Sequence, residues 1–286
     1  MTIDRLALIG VGLIGGSLAL ALRQGGGCRE IVGYDRDRAS LERAVELGVI
    51  DRYETSACAA VHGADVIVLA TPVGAVEEVC RTLRGCLDED AVLTDVGSVK
   101  GGVVQAIEAG FGHLPPNFVP GHPIAGKERS GVEAASADLF VGRRIILTPP
   151  PGTMPEARAR VRQLWERAGG VVEEMGVEHH DEVLAATSHL PHLLAFALVG
   201  SLSRLGERDE IFRYAAGGFR DFTRIASSDP VMWRDVCLNN RDAILDVLKH
   251  FEDDLHALGE SIAAGDGARL LELFRHAKQS RDRFSH

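Results

Sequence analysis

A doubly wound, mostly parallel α/β sheet followed by an all-helical second half is the fold class that this 286-residue sequence predicts. Three observations carry the prediction. A glycine-rich strand-to-helix turn opens the chain, apolar strand segments alternate with helical periodicity up to residue 176, and beyond that point only helical patterns continue. The expected domains are therefore a dinucleotide-binding domain over 1–176 and a helical domain over 177–286.

The opening turn is the most informative stretch. IDRLALIG is a short apolar run ending in glycine, and VGLIGGSLALALRQ then takes up helical periodicity. Within it lies Gly10-x-Gly12-x-x-Gly15, with Leu13 and Ile14 between the last two glycines, and a second strand, EIVGYD, ends at Asp35, 20 residues after Gly15. This is the full context of a Rossmann-type dinucleotide site. Gly10 permits the tight turn, Gly12 lets the backbone approach a pyrophosphate, Gly15 lets helix and strand pack closely, and the helix N-terminus offers N–H groups to the anion. Asp35 would accept hydrogen bonds from the ribose hydroxyls, which favours NAD; Arg36 beside it could neutralise a 2′-phosphate, so NADP stays possible. The same apolar opening imitates a signal peptide, but Asp4 offsets Arg5, glycines interrupt the run and no small-residue cleavage site follows.

Further strands are expected over 64–72, 90–98, 117–123, 143–150 and 169–175. Ligands in such sheets bind at the carboxyl ends of the strands. ATPV, with Thr71 and Pro72, DVGSVK, with Ser98, and GHPIAGKE, with His122, all sit at those ends and are placed to line one cleft.

Helices are expected over 179–205, 209–217, 230–264 and 266–284, with SSDP at 227–230 as an N-terminal cap. Leu245, Leu248, Phe251, Leu255 and Leu258 recur at spacings of three and four, and Leu270, Leu271, Leu273 and Phe274 cluster after them. So much apolar helix surface points to a homodimer through this half. SHLPHLLAFAL, at 188–198, places His189 and His192 three apart on one apolar face. Pro191 there implies either a kink or a new helix capped by Ser188.

Composition narrows the function classes. With 31 basic against 41 acidic residues the formal charge is −10, which argues against a nucleic-acid partner. Beyond the opening segment, no run reaches the roughly 18 uninterrupted apolar residues expected of a membrane helix. Cys28, Cys58, Cys80, Cys86 and Cys237 form neither a CxxC pair nor a cluster at zinc-ligand spacing, so five reduced thiols in a cytoplasmic protein, and no metal, are expected.

Five motifs in order, GVGLIGGS at 10–17, DVGSVK at 95–100, GHPIAGKERSG at 121–131, SHLPHLLAFAL at 188–198 and GGFRDFTRIASSDPVMW at 217–233, resemble the prephenate/arogenate (cyclohexadienyl) dehydrogenases of tyrosine biosynthesis over nearly the whole chain. The resemblance implies a Rossmann-type domain, a helical dimerisation domain, and NAD(P)-dependent oxidative decarboxylation of a cyclohexadienol. It implies that His122 accepts the proton of the substrate C4 hydroxyl and that Ser98 orients that hydroxyl. Arg224 would hold the ring carboxylate and Arg220 the side-chain carboxylate, while Gly217, Trp233 and the His189/His192 pair would lie near substrate, with His192 on the substrate side and catalysis left to His122. Lys127 and Glu128 would shape the pocket entrance. With no further regulatory segment in the sequence, feedback by tyrosine is expected at the active site. Two other functions fit the fold: a β-hydroxyacid dehydrogenase, which relies on a lysine in the helical half where only Lys249 and Lys278 occur, and a non-enzymatic NAD-binding regulatory protein.

Overall fold

Six parallel strands form the main sheet of the computed structural model, which describes residues 3–127, 129–205 and 213–283. The elements run β1 (Ile3–Ile9), α1 (Leu13–Gln24), β2 (Cys28–Tyr34), α2 (Arg38–Glu46), β3 (Arg52–Tyr53), α3 (Ala57–Val61), β4 (Val66–Leu69), α4 (Val76–Leu83), β5 (Val92–Asp95), α5 (Gly101–Phe111) and β6 (Phe118–Val119). The sheet order is β3-β2-β1-β4-β5-β6, so the chain reverses direction across the sheet between β1 and β4 and leaves its ligand crevice there. Every residue of β4 and of β5 is buried, as strands covered by helices on both faces require.

The sequence predicts one sheet; the structure has two. Pro120 faces away from β5, its carbonyl accepting the Thr148 amide at 3.0 Å. The chain leaves the main sheet there, and β7 (Gly121–Pro123) pairs antiparallel with β8 (Arg144–Leu147), which is followed by α6 (Pro155–Arg167) and pairs parallel with β9 (Val171–Glu174). Trp165 of α6 is fully buried and meets Phe140 edge-on, joining this small sheet to the core.

A helix then runs without a break from Val177 to Leu202, through a π turn at Ala185–His189. It is long and apolar enough to cross a membrane by length and composition alone, yet His180, Asp181 and His189 within it are buried and hydrogen-bonded inside the protein. Ser188 does not cap a new helix, because an extra residue in the π turn absorbs the amide that proline lacks, and Pro191 falls in the first turn of Leu190–Leu202. Of the helix expected at 209–217, residues 209–212 lie outside the described residues; Tyr214, Ala215 and Ala216 are not helical, and the next helix is Gly217–Thr223. Asp229 caps the next helix, Pro230–Asn239, by accepting from the Met232 amide. That helix is not continuous to 264: Asn240 leaves helical geometry, and Arg241–Ala263 starts afresh.

Two compact units are distinguished, 1–241 and 242–286. In the second, the helix ending at Ala263 turns through Gly265, whose φ of +67° favours glycine, into Gly267–Arg283, where Asp266 accepts from the Arg269 amide. One expectation about the cysteines is corrected. Cys58 at the start of α3 and Cys86 beyond α4 are joined as a disulfide, so three thiols are free, Cys28, Cys80 and Cys237. The pairing spans 28 residues and depends on α3 and α4 lying side by side, which spacing along the chain does not reveal.

At Gly10 the backbone has φ +98°, and a Cβ would stand 2.5 Å from the Ala70 carbonyl oxygen. Gly10→Ala therefore combines left-handed strain with overlap against backbone, and a loss of about 3 kcal/mol in unfolding free energy is expected by urea denaturation. A loss below about 1 kcal/mol would contradict the close approach of the two loops.

Candidate active site

The crevice at the sheet's reversal is lined by the first turn and the end of β4. A Cβ on Gly15 would meet the Gly10 carbonyl oxygen at 2.6 Å and the Leu8 side chain at 2.9 Å, so only glycine lets α1 sit this close to β1. Gly12 is different: a Cβ there would meet nothing within 4 Å, and Gly12 stands at the α1 N-terminus, where no side chain caps the first amides. Leu13 and Ile14 form the first turn. Open space beside uncapped amides fits a pyrophosphate. Asp35 is half-buried at the end of β2, taking the Val11 amide at 3.0 Å and the Asp37 amide at 3.0 Å, which ties the carboxylate to the glycine turn. Arg36 is exposed beside it. Across the crevice Pro72 is exposed, and the Thr71 hydroxyl is a buried polar atom without a protein partner. A bound group carrying donors or acceptors would satisfy it.

At the end of β5, Asp95 and Lys100 form a fully buried ion pair at 2.5 Å. Each also holds the residue before His122. Asp95 accepts from the Gly121 amide at 3.2 Å, and Lys100 donates to the Gly121 carbonyl at 2.7 Å. A Cβ on Gly121 would come within 3.0 Å of the Asp95 carbonyl oxygen, so glycine permits this strand crossing. Ser98 lies half-buried in the same loop, between Gly97, whose amide bonds Asp95 at 2.7 Å, and the Lys100 anchor.

His122 is thus a strand residue on β7, buried, with its Nδ1 2.9 Å from Nε2 of His180. His180 Nδ1 in turn lies 2.8 Å from Asp181 Oδ1. The Asp181 carboxylate also accepts the Lys100 and Gly101 amides, each at 2.8 Å, and so caps α5. His180 and Asp181 were not singled out by the sequence reading. The signal present is the His-His-Asp run at 179–181 opening a helix, which lacks spacing to any motif.

The histidine pair divides. His189 is buried, with Nδ1 3.1 Å from the Asn240 side-chain amide, which also donates to the Asp181 carbonyl at 2.8 Å. Its Nε2 and the Trp233 Nε1 are buried without protein partners. His192 is half-buried, stacks on Trp233 with centroids 3.9 Å apart, and places Nδ1 2.9 Å from the Ser188 carbonyl. Arg224 starts the single turn Arg224–Ser227, which packs on the 190–202 helix, and its charge acts on His192. Arg220 and Gly217 are exposed on the preceding helix. Lys127 is exposed, bonding the Ala134 carbonyl, and Glu128 lies outside the described residues.

Burial holds His122 well below the ordinary imidazole value, reinforced by His180, Lys100 and His189. Burial also lowers His180, against the pull of Asp181, and lowers His189 to about 4. Asp181 is pushed up by burial, but the bonds from His180, Lys100 and Gly101 outweigh that and hold it below the usual carboxylate range. The cluster is therefore neutral imidazole against an ionised carboxylate near pH 7.

Residues 18–174 match the family model described as prephenate dehydrogenase, nucleotide-binding domain, and residues 176–276 match prephenate dehydrogenase, dimerization domain. The chain belongs to the prephenate dehydrogenase family. A cyclohexadienyl dehydrogenase from Zymomonas mobilis is 40% identical over 281 residues, covering 96% of this chain and 94% of that one. A prephenate dehydrogenase from Bacillus subtilis is 37% identical over 283 residues, 98% of this chain and 76% of its own. The crystal structure of prephenate dehydrogenase from A. aeolicus with hydroxyphenyl propionate and NAD+ superposes with a TM-score of 0.92 at 40% identity, covering 100% of this chain and 99% of that one. The family's nucleotide-binding match begins at residue 18, after the Gly10–Gly15 turn, so the geometry of that turn is independent support for a dinucleotide crevice.

The depressed histidines make a stability prediction. An imidazole held low when folded but ordinary when unfolded gives full stability above the unfolded value of 6.5 and loses it as pH falls toward the folded value. Unfolding free energy is expected to fall between about pH 6.5 and pH 5, each buried histidine contributing up to about 1.4 kcal/mol per pH unit. Asp181 opposes none of this, since its contribution fades only below the ordinary carboxylate range. Urea titrations should show a shallower pH slope for His189→Gln; an unchanged slope would contradict its burial as the neutral ring.

Proposed function

We propose that this protein catalyses NAD(P)-dependent oxidative decarboxylation of prephenate to 4-hydroxyphenylpyruvate, of arogenate to tyrosine, or of both. The single observation that carries the reading is His122, a buried neutral imidazole one residue beyond a backbone held by Asp95 and Lys100, in a chain of the prephenate dehydrogenase family. The domains proposed are 1–176 for the nucleotide and 177–286 for substrate and dimerisation.

The Gly10–Gly15 turn and the α1 N-terminus would hold the pyrophosphate, Asp35 the ribose, and Thr71 and Pro72 would line the crevice opposite. NAD supplies the hydride acceptor when bound. On the protein side, His122 takes the C4 hydroxyl proton as that carbon is oxidised to a carbonyl, and Ser98 orients the hydroxyl. The ring carboxylate then leaves as carbon dioxide, its bonding electrons passing through the ring to the C4 oxygen, which takes the proton back from His122 as the aromatic phenol forms. A neutral base suits this step because it accepts a proton near pH 7 without first losing one. Arg224 pairs with the ring carboxylate until it departs, its planar fork fixing the ring's orientation. Arg220 is the second cation, for the side-chain carboxylate; Gly217 leaves room beside it, and Trp233 with His192 forms an aromatic wall.

The second unit supports a homodimer. Among its described residues only Ile244 and Ser261 are buried, while Leu255 is 50%, Ile262 62% and Phe274 57% exposed. Such a face is costly in water and self-complementary in a two-fold dimer. Light scattering should report a dimer, converted to monomer by Leu255→Glu with Phe274→Glu.

Purified protein should reduce NAD with prephenate or arogenate in a spectrophotometric assay, and no reduction with either substrate and either NAD or NADP would overturn the proposal. His122→Asn is expected to lower kcat by about 10² to 10⁴ with KM little changed. Arg224→Ala should act mainly on KM, the loss of a charge-assisted pair costing about 2 to 3 kcal/mol. Two variants that merely lowered thermal stability would sink the assignment of roles.

A further inference from the structure

The order of hydrogen bonds behind His122 determines which of its nitrogens carries the hydrogen. Asp181 Oδ1 accepts the Lys100 amide and Oδ2 the Gly101 amide, each at 2.8 Å, so this carboxylate is ionised and can only accept. His180 Nδ1, 2.8 Å from Oδ1, must then be the N–H of that ring. A neutral His180 therefore has a bare lone pair at Nε2. His122 Nδ1, 2.9 Å away, must donate to it, because two lone pairs cannot face each other at that distance. With its hydrogen on Nδ1, neutral His122 has its lone pair on Nε2.

We propose that Asp181, acting through His180, is a positioning residue that holds His122 in the Nδ1–H tautomer and so makes Nε2 the atom that accepts the substrate proton. The inference rests on the reading above that His122 is the base. When Nε2 takes the hydroxyl proton, His122 keeps its Nδ1 hydrogen and becomes an imidazolium. Its charge is then stabilised through the neutral His180 by the Asp181 carboxylate, while Lys100 opposes it and Asp95 offsets Lys100. The other titratable ring near His122 is His189, neutral and held by Asn240 from the end of the 230–239 helix. Neither Asp181 nor His180 need touch substrate. The same carboxylate caps α5, so a merely structural role is the rival account, and it makes no demand on the tautomer.

The ¹⁵N spectrum of histidine-labelled enzyme with bound NAD reports the tautomer without turnover, and the His122 signals are identified by their loss in His122→Gln. Near pH 7 the expected result is a pyrrole-type Nδ1 and a pyridine-type Nε2. Asp181→Ala should mix the two tautomers and lower kcat by about 10² or more while KM changes little, since a carboxylate-to-amide change behind a catalytic histidine costs about 10⁴ in a comparable triad. The double variant His180→Glu with Asp181→Ala supplies an acceptor directly to His122 without restoring the α5 cap. It should return the Nδ1–H form and recover kcat at least about tenfold over Asp181→Ala, following the logic of removing and replacing one coupled group. Three results would each overturn the inference: a pyridine-type Nδ1 in the unmodified enzyme, an unmixed Nδ1–H tautomer in Asp181→Ala, or a double variant no more active than Asp181→Ala. Failure of the unmodified enzyme to turn over either substrate would instead defeat the functional reading and leave the tautomer result standing.

Discussion

The Asp181 carboxylate is the interaction on which the arrangement of the site depends. It closes the N-terminus of α5 through two amides, meets His180 with the same group, and its backbone carbonyl takes the Asn240 side chain. One residue of the 177–202 helix thereby joins the loop after β5, the ring behind His122 and the end of the 230–239 helix. A buried carboxylate with this many donors is strongly favoured as the anion, and removing it would strand two amides and a ring N–H in a dry interior. Its partner on the other side is the Asp95–Lys100 pair, which grips Gly121 at both its amide and its carbonyl. His122 is therefore fixed from its backbone by one ion pair and from its ring by one carboxylate.

The cofactor side follows a different logic, built from absence of side chain. Gly10 and Gly15 are where a Cβ would collide with Ala70 or Gly10 backbone, so they bring two loops and a helix into contact. Gly12 collides with nothing, and the space it leaves lies against uncapped amides. Rigid packing around an open notch is what a pyrophosphate needs: the surrounding geometry is set in advance, and little ordering remains to be done on binding. The buried Thr71 hydroxyl, lacking a protein partner, is the same feature seen in a polar group.

Much of this was legible in the sequence because it is local. The glycine spacing, the acidic residue after the second strand, the strand and helix alternation and the Asp229 cap are all short-range patterns, and each appears where the sequence places it. What escaped was set by long-range packing. The small second sheet depends on β7 pairing with β8, more than 20 residues on, the π turn accompanies Pro191 in an otherwise continuous helix, and the Cys58–Cys86 link forms because α3 and α4 are neighbours. His180 and Asp181 were invisible for the same reason: their partners His122 and Lys100 are 58 and 81 residues away. His189 and His192 illustrate both cases, since their shared face was readable from spacing, while the different burial of the two rings depends on Asn240 and Trp233.

A neutral His122, kept neutral by burial and aimed by its neighbours, is the centre of the account, and the pH dependence of kcat/KM with NAD addresses it most directly. The base must be unprotonated in the uncomplexed enzyme, and His122 titrates well below 6.5, so activity should hold level from neutrality down past that value and fall only at lower pH, with this acid limb missing from the residual activity of His122→Asn. An acid limb centred at or above the ordinary imidazole value, or one that survives unchanged in His122→Asn, would contradict it.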